Sequence, residues 1–428
     1  MTFSFSVALC DHVDRFGRSP AAFVPIKCDP YGITNSGMET KHNHQGILYL
    51  FLPRLNEEEE MIKKIHGIDR HKKYSTISTL NREGQEIEFQ RNCYDLKGYV
   101  NNLDPEDAVV IEASTGSFYW ADLIETKGAL CYVLDPRKFK IIRDSWNKTD
   151  KHDARNMSKA FWVYVVTGEF GIPTVYKPDV VIRELRKLFT QYNLLNRQIR
   201  MLKNSVQALL AENGLTVTSE GKSKLMSEKH GMEILKGREL THASRVSIEM
   251  SLKMLWRLVE EKEKMGQEII LSGEPLKDKV KLLITIKGIT PLSALAFLAD
   301  IGDVERFKKL KNMNAYLGLV PREDESGGKS RKGHINRESR KLTRTLLTQS
   351  VIHVSNASPY LREYYVNLTN RRGTGRARIA LIRKLCGIMR RMLLNGEKFR
   401  WINADNFERK LKKYERELIK IKEERKSA

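Results

Sequence analysis

The hydrophobic pattern changes character along the chain, and each stretch predicts a different kind of structure. Residues 1–60 are rich in turn residues, hold no sustained period and end in the acidic run Glu57–Glu60. From Met61 onward, short apolar runs alternate with turn signals. Ile65–Asp69 predicts a strand, Tyr74–Leu80 its neighbour, Asn81–Gly84 a hairpin turn and Glu86–Arg91 the returning strand. A helix over Tyr94–Leu103, a strand Ala108–Glu112, an aromatic-rich helix Phe118–Thr126 and a strand Leu130–Leu134 follow.

Three hairpin-linked strands followed by alternating helix and strand match a ribonuclease H-like α/β layout over residues 61–165. The period then lengthens. Val181, Leu185, Leu188, Tyr192, Leu195, Ile199, Leu202, Val206 and Leu209 advance by alternating steps of four and three. That is an a/d seam, closed by Asn213-Gly214 as a helix stop. A second helix, about 244–270, repeats the theme with Ile248, Leu252, Leu255, Val259 and Ile269. The pair predicts a helical coiled-coil arm over 178–275. It is either an intramolecular antiparallel hairpin or a dimer interface, with self-association favoured.

A mainly α C-terminal domain is expected over 278–400. Leu283–Thr290 leads into Ala294–Ile301 and Gly302-Asp303, a helix, tight glycine turn and helix that form a helix-hairpin-helix-like element. Turn amides around Lys287 and Gly288 can grip a phosphate. A basic, glycine-bearing stretch follows from Pro321 to His334, and the next helix adds Arg337, Arg340, Lys341 and Arg344. Arg371, Arg372, Arg376 and Arg378 read as another glycine-bearing loop, and residues 401–428 as a solvated basic helical tail.

Charge then narrows the class of partner. Lys and Arg number 75 against 53 acids in 428 residues, a net charge of +22. Such a surplus steers a chain toward phosphate backbones and makes binding salt-dependent. Five scattered cysteines without metal-ligand spacing read as reduced thiols in a cytoplasmic protein. The apolar run Gly46–Leu55 is short and broken by Pro53, so no membrane association is expected.

Four acids carry the candidate chemistry. Asp69 follows one apolar strand run, and Glu112 ends another. Asp150 and Asp153 lie three apart, on one face of a helix. Taken singly, an acid at a strand end is more often a turn or cap residue. As a set, two acids on strand ends and two on a helix suit paired divalent metals. Oxygen ligands hold Mg²⁺, and two ions roughly 4 Å apart can clamp both oxygens of a phosphodiester in displacement.

These blocks together resemble the DEDD transposases of insertion-sequence family 110. These pair a RuvC-like N-terminal domain with a serine-bearing C-terminal transposase domain. The matching segments are Gly67–Lys72, Ile111–Gly116, Thr149–Ala154, Ile286–Ile289 through Asp303, Ala315–Pro321 and Ser326–Lys329. The resemblance implies that Asp69, Glu112, Asp150 and Asp153 hold Mg²⁺, two ions with Mn²⁺ as an alternative. It implies that Ser326 is a nucleophile forming a phosphoserine link to DNA, with Gly327 and Gly328 allowing close approach of the backbone. Lys329, Arg331, Lys332, Arg340 and Arg344 would contact nucleic acid. DNA of the element ends and target, a structured guide RNA, and a homo-dimer or homo-tetramer are the implied partners, in a prokaryotic, nucleoid-associated setting. Residues 1–60 have no counterpart in the family, and Met61 reads as the native start. Arg337–Arg340 departs from the family's usual Gly-Asn or Gly-Asp. The alternatives are a junction-resolvase-like nuclease and an inactive nucleic-acid-binding descendant.

Overall fold

The computed structural model describes residues 61–139, 149–167, 172–215, 219–326, 329–335 and 342–427. The readings of residues 1–60 as an extension and of Met61 as a start fall on or border residues outside that set. The described chain divides between Lys177 and Pro178 into two units.

An antiparallel meander opens the first unit: β1 (Lys64–Arg70), β2 (Ser75–Asn81) and β3 (Glu86–Cys93). The β2–β3 turn is closed by the Gly84 amide on the Asn81 carbonyl at 3.0 Å, and Gly84 adopts φ +81°. Only a glycine takes that angle without strain. α1 (Leu96–Asn101), capped by the Asp95 carboxylate on the Gly98 amide, leads to β4 (Asp107–Glu112). α2 (Ser117–Glu125) leads to β5 (Leu130–Leu134), and α3 (Asp150–Thr167) completes the unit. β4 lies parallel to β1, and β5 parallel to β4, giving a mixed sheet in the order β3-β2-β1-β4-β5.

Both faces of the sheet are covered at β4, which explains the unbroken apolar run of that strand, whereas β3 is largely exposed. Val109 and Ile111 pack with Leu96, Val100 and Ile124 on one side, while Ala108 and Val110 join Met157, Phe161 and Val165 of α3 on the other. α3 sits close because β1 carries Gly67. A Cβ there would lie 2.2 Å from the Ala154 carbonyl oxygen and 2.7 Å from the Ser158 nitrogen. Polar ties fix the helix lengthwise. Ser78 and Ser158 hydroxyls meet at 3.1 Å, Arg155 pairs with Glu86, and the Trp162 indole donates to the Arg82 carbonyl at 2.9 Å.

The second unit begins with α4 (Val180–Glu212), α5 (Ser219–Leu225), α6 (Gly231–Lys236) and α7 (His242–Ser272). Asp179 and Thr241 cap the two long helices through the amides of Ile182 and Ser244. Leu185 and Phe189, near the start of α4, share a core with Ile269 and Ile270 at the end of α7. Ile199, Val206 and Leu210 meet Ile248, Leu252 and Leu255. The helices therefore run antiparallel, and their seam is filled within the chain. This is the intramolecular alternative rather than the favoured dimer use of the same residues.

α8 (Lys277–Leu283), α9 (Pro291–Ile301) and α10 (Leu310–Tyr316) follow, with a Thr290–Ser293 capping box at the start of α9. The basic glycine-bearing stretch is not a loop. β6 (Pro321–Ser326) and β7 (Lys329–Ile335) pair antiparallel, Ser326 opposite Lys329. α11 (Leu342–Ser355), α12 (Pro359–Arg372), α13 (Thr374–Asn395) and α14 (Ala404–Ser427) close the fold. Arg371 and Arg372 end α12, whereas Arg376 and Arg378 begin α13, so only Gly373 separates helices where a loop was expected. The tail helix is not merely solvated either. Tyr414, Leu418 and Ile421, spaced by four and three, bury one stripe of α14 in the core of this unit. No helix among the described residues is long and apolar enough to cross a membrane.

Candidate active site

The parallel register of β1 and β4 aligns Ile68 with Ile111, so Asp69 and Glu112 take the next positions at one end of the sheet. These are the carboxyl ends of adjacent parallel strands, where α/β sheets place ligand sites. The close approach at Gly67 brings the first turn of α3, with Asp150 and Asp153, to the same end. Between β1 and β2 the chain turns through residues 71–74, closed by the His71 amide on the Tyr74 carbonyl at 2.9 Å. That turn aims His71 inward. Its Nε2 lies 3.2 Å from an Asp69 carboxylate oxygen and 3.2 Å from one of Asp150. The Tyr74 hydroxyl donates to Asp150 at 3.1 Å.

Asp69 is 8% exposed. Burial raises its pKa; His71 opposes that shift, and the charges of Asp150 and Asp153 reinforce it. The Tyr74 hydroxyl is likewise held above its usual range by its hydrogen bond to Asp150. Converging carboxylates in a partly buried setting repel one another, and a cation relieves that repulsion. Ligand atoms of Asp69, His71 and Asp150 lie within 4.8 Å of one another. The donor set fits a divalent ion. Carboxylate oxygens suit Mg²⁺ or Mn²⁺, and His71 Nε2 stands between the two carboxylates, where positive charge is wanted.

Arg70 links this end of β1 to the segment after β4, donating to the Ser114 hydroxyl at 3.0 Å and to the Thr115 carbonyl. With Lys72, Lys73, Tyr94 and Trp120 it lines a shallow hollow of about 200 Å³ beside the acids. Basic and aromatic side chains around a carboxylate cluster suit a phosphate-bearing polymer.

Asp69 and Asp150 thus meet directly, Asp153 acts on Asp69 through its charge, and Glu112 lies at the same sheet end. Sequence reasoning missed His71 and Tyr74 as members of the site. The signal was present: His71 stands two residues after the first acid, and Tyr74 opens the next strand run.

The second unit places the remaining candidates differently. Ser326 ends β6, and Lys329, Arg331 and Lys332 lie on β7; these four are described through their backbone alone. Gly327, Gly328 and Arg340 lie outside the described residues. Arg344 donates to the Gly318 carbonyl at 2.9 Å, bracing the turn that precedes β6. Lys287 is exposed, whereas Gly288 adopts φ +90° against α11, where a Cβ would stand 2.8 Å from the His353 Cβ. The carbonyls of Ile286 and Ile289 in that turn accept from Lys410 Nζ at 2.8 and 3.1 Å. Sequence reasoning missed this lysine, which burial lowers to about 8.

The family model described as "Transposase IS116/IS110/IS902 family" matches residues 280–366, from α8 into α12. Curated relatives extend the likeness. A "Probable family 20 transposase" of Pseudomonas aeruginosa is 26% identical over 67% of this chain and 79% of its own. The "Transposase for insertion sequence element IS1111A" of Coxiella burnetii is 25% identical over 79% of this chain and 91% of its own. The "Transposase for insertion sequence element IS1533" of Leptospira borgpetersenii is 24% identical over 59% and 73%. With the profile match in the helical unit and relatives covered over most of their own lengths, the chain is similar to transposases of the IS116/IS110/IS902 family.

Proposed function

We propose that this transposase cuts and rejoins DNA strands at the acid cluster of its first unit, on a ribonuclease H-like (RuvC-like) scaffold. The observation that carries the reading is the convergence of Asp69, His71 and Asp150 at the carboxyl end of parallel strands, in a chain of net charge +22. Asp69, Glu112, Asp150 and Asp153 would hold Mg²⁺, or Mn²⁺ in its place, with His71 and Tyr74 orienting the Asp150 carboxylate. Bound there, the metal supplies charge neutralisation at the phosphate undergoing displacement. Ser326 would be the nucleophile: its hydroxyl displaces one strand end as a free hydroxyl and stays esterified to the other through the phosphate, which conserves the phosphodiester energy for rejoining. Lys329, Arg331 and Lys332 on β7 follow the serine on the same ribbon and would grip the DNA backbone. A structured guide RNA and a homo-dimer or homo-tetramer complete the reading, the basic surplus suiting both polymers.

A covalent-adduct assay tests it. The protein is incubated with Mg²⁺, RNA transcribed from its own element and DNA spanning the element junction, then resolved on denaturing gels. A DNA-shifted protein band in wild type, lost in both Ser326→Ala and Asp150→Asn, is the expected result. Cleavage without an adduct, surviving Ser326→Ala but not Asp150→Asn, would make the protein a water-using nuclease instead. Binding without any Mg²⁺-dependent cleavage would make it an inactive descendant.

A further inference from the structure

Two large aromatic rings stand in solvent on the helical unit, far along the chain from the acids. Trp401 is 38% exposed and Tyr360 48%, and their rings are nearly parallel, 19° apart with centroids at 6.1 Å. Trp401 is not loosely held. It leans on Phe399 (5.6 Å, 59°), which is itself 3% exposed and whose amide donates to the Thr285 hydroxyl at 3.1 Å. That anchor fixes the strap between α13 and α14 to the end of α8. Tyr360 comes from the first turn of α12, so separate elements converge to present the pair.

The surroundings are cationic. Lys384 Nζ, reaching from α13, lies 4.2 Å from the Tyr360 centroid and 4.1 Å from that of Tyr364. The Arg400 guanidinium is 5.4 Å from the Trp401 ring. Lys398 and Arg391 line the same hollow of about 460 Å³, whose one lining acid, Glu397, lies 3.9 Å from Arg391. Both members of that pair are exposed, so it does little to neutralise the site. An apolar protein partner would have to bury these cations unpaired. A nucleotide meets both chemistries at once: its base takes an aromatic face, and its phosphate takes the ammonium and guanidinium groups. Bases stacked inside a duplex offer no free face, so the arrangement selects unpaired ones.

We infer that Tyr360 and Trp401, flanked by Lys384, Lys398 and Arg400, form a stacking site for an unpaired nucleotide of single-stranded nucleic acid. The inference rests on the reading of the protein as a nucleic-acid enzyme and adds a place where a strand is held open. It is independent of the acid cluster, so it can be tested with metal removed.

The test measures affinity of the full chain, in a chelating buffer, for labelled oligo(dT), oligo(U) and a duplex of similar length. Trp401→Ala is expected to weaken single-strand binding by about tenfold or more, while duplex binding stays within about twofold. Trp401→Phe retains most of the affinity. Tyr360→Ala repeats the selective loss without disturbing the Phe399 anchor, and circular dichroism confirms that each variant is folded. Lys384→Ala flattens the salt dependence of single-strand binding. A preference for oligo(U) assigns the strand to RNA, and a preference for oligo(dT) assigns it to DNA. Unchanged single-strand affinity in both aromatic variants, or an equal loss on duplex, overturns the inference alone. Absence of any nucleic-acid binding by wild type overturns the proposed function with it.

Discussion

The sheet end of the first unit and the hairpin turn of the second were both read as phosphate-handling sites, yet they are built in opposite ways. At the sheet end, acids converge with one histidine between them, and the nearest hollow is open and basic. At the Gly288 turn, the backbone is packed against α11 and its carbonyls are held by a half-buried lysine. One region converges carboxylate and imidazole ligand atoms within 4.8 Å of one another, as a cation site does. The other has the carbonyls of Ile286 and Ile289 satisfied from within the unit. The carbonyl side of the turn is thus committed to the fold, while Lys287 and Thr290 stay exposed.

Breaking the first region should have the largest consequence. Asp150→Asn is expected to lower Mg²⁺-dependent strand cleavage by at least about 10²- to 10³-fold, the scale of losing one charge-stabilising group. Asp150 begins α3 at a half-buried position, so thermal melting should shift by only a few degrees. Next comes the core of the second. Tyr414→Ala empties a fully buried site and should cost about 3–5 kcal/mol in urea denaturation. A solvated tail would lose almost nothing. Gly67→Ala joins the two scales: its Cβ meets α3 backbone, so about 1–3 kcal/mol of stability is lost. Metal affinity should fall with it, because the helix that carries Asp150 and Asp153 is pushed away from Asp69.

The smallest effect concerns the lysine at the turn. Burial lowers Lys410 from 10.5 to about 8 in the folded chain. Between those values the unfolded chain binds more protons, so this group makes stability rise with pH from about 8 to about 10. Below about pH 8 both states are protonated and its contribution is flat. Tyr414, held up at about 12, works in the opposite direction only above about pH 10. Lys410→Met should remove the rise, measured as denaturation midpoints across that window.

Much of the first unit was legible because its strands are short apolar runs ended by turn residues. Leu130–Leu134 was read with the same ends, and the β2–β3 turn at Asn81–Gly84 was read in place. Asp69 and Glu112 stood out because each follows or ends such a run, and Asp150 and Asp153 because they lie three apart at the start of a helix. His71 did not, since a histidine in a turn carries no periodic signal and its role depends on a fold that brings α3 across. In the second unit, composition concealed structure. The run Pro321–Ile335 alternates too few apolar residues to announce a ribbon, although Gly327-Gly328 between two runs is a hairpin signal. In α14, abundant Lys and Glu masked the Tyr414, Leu418 and Ile421 stripe. The a/d seam of α4 was unmistakable, but a seam does not say whose helix fills it.

The central claim is that Asp69 and Asp150 form a divalent-cation site, and Mn²⁺ binding followed by electron paramagnetic resonance tests it most directly. Titration of the wild-type chain should give saturable binding that Mg²⁺ competes away and that Asp69→Asn and Asp150→Asn each abolish or weaken by about tenfold or more. Equal Mn²⁺ binding by wild type and both variants would contradict the claim and leave the cluster a structural contact.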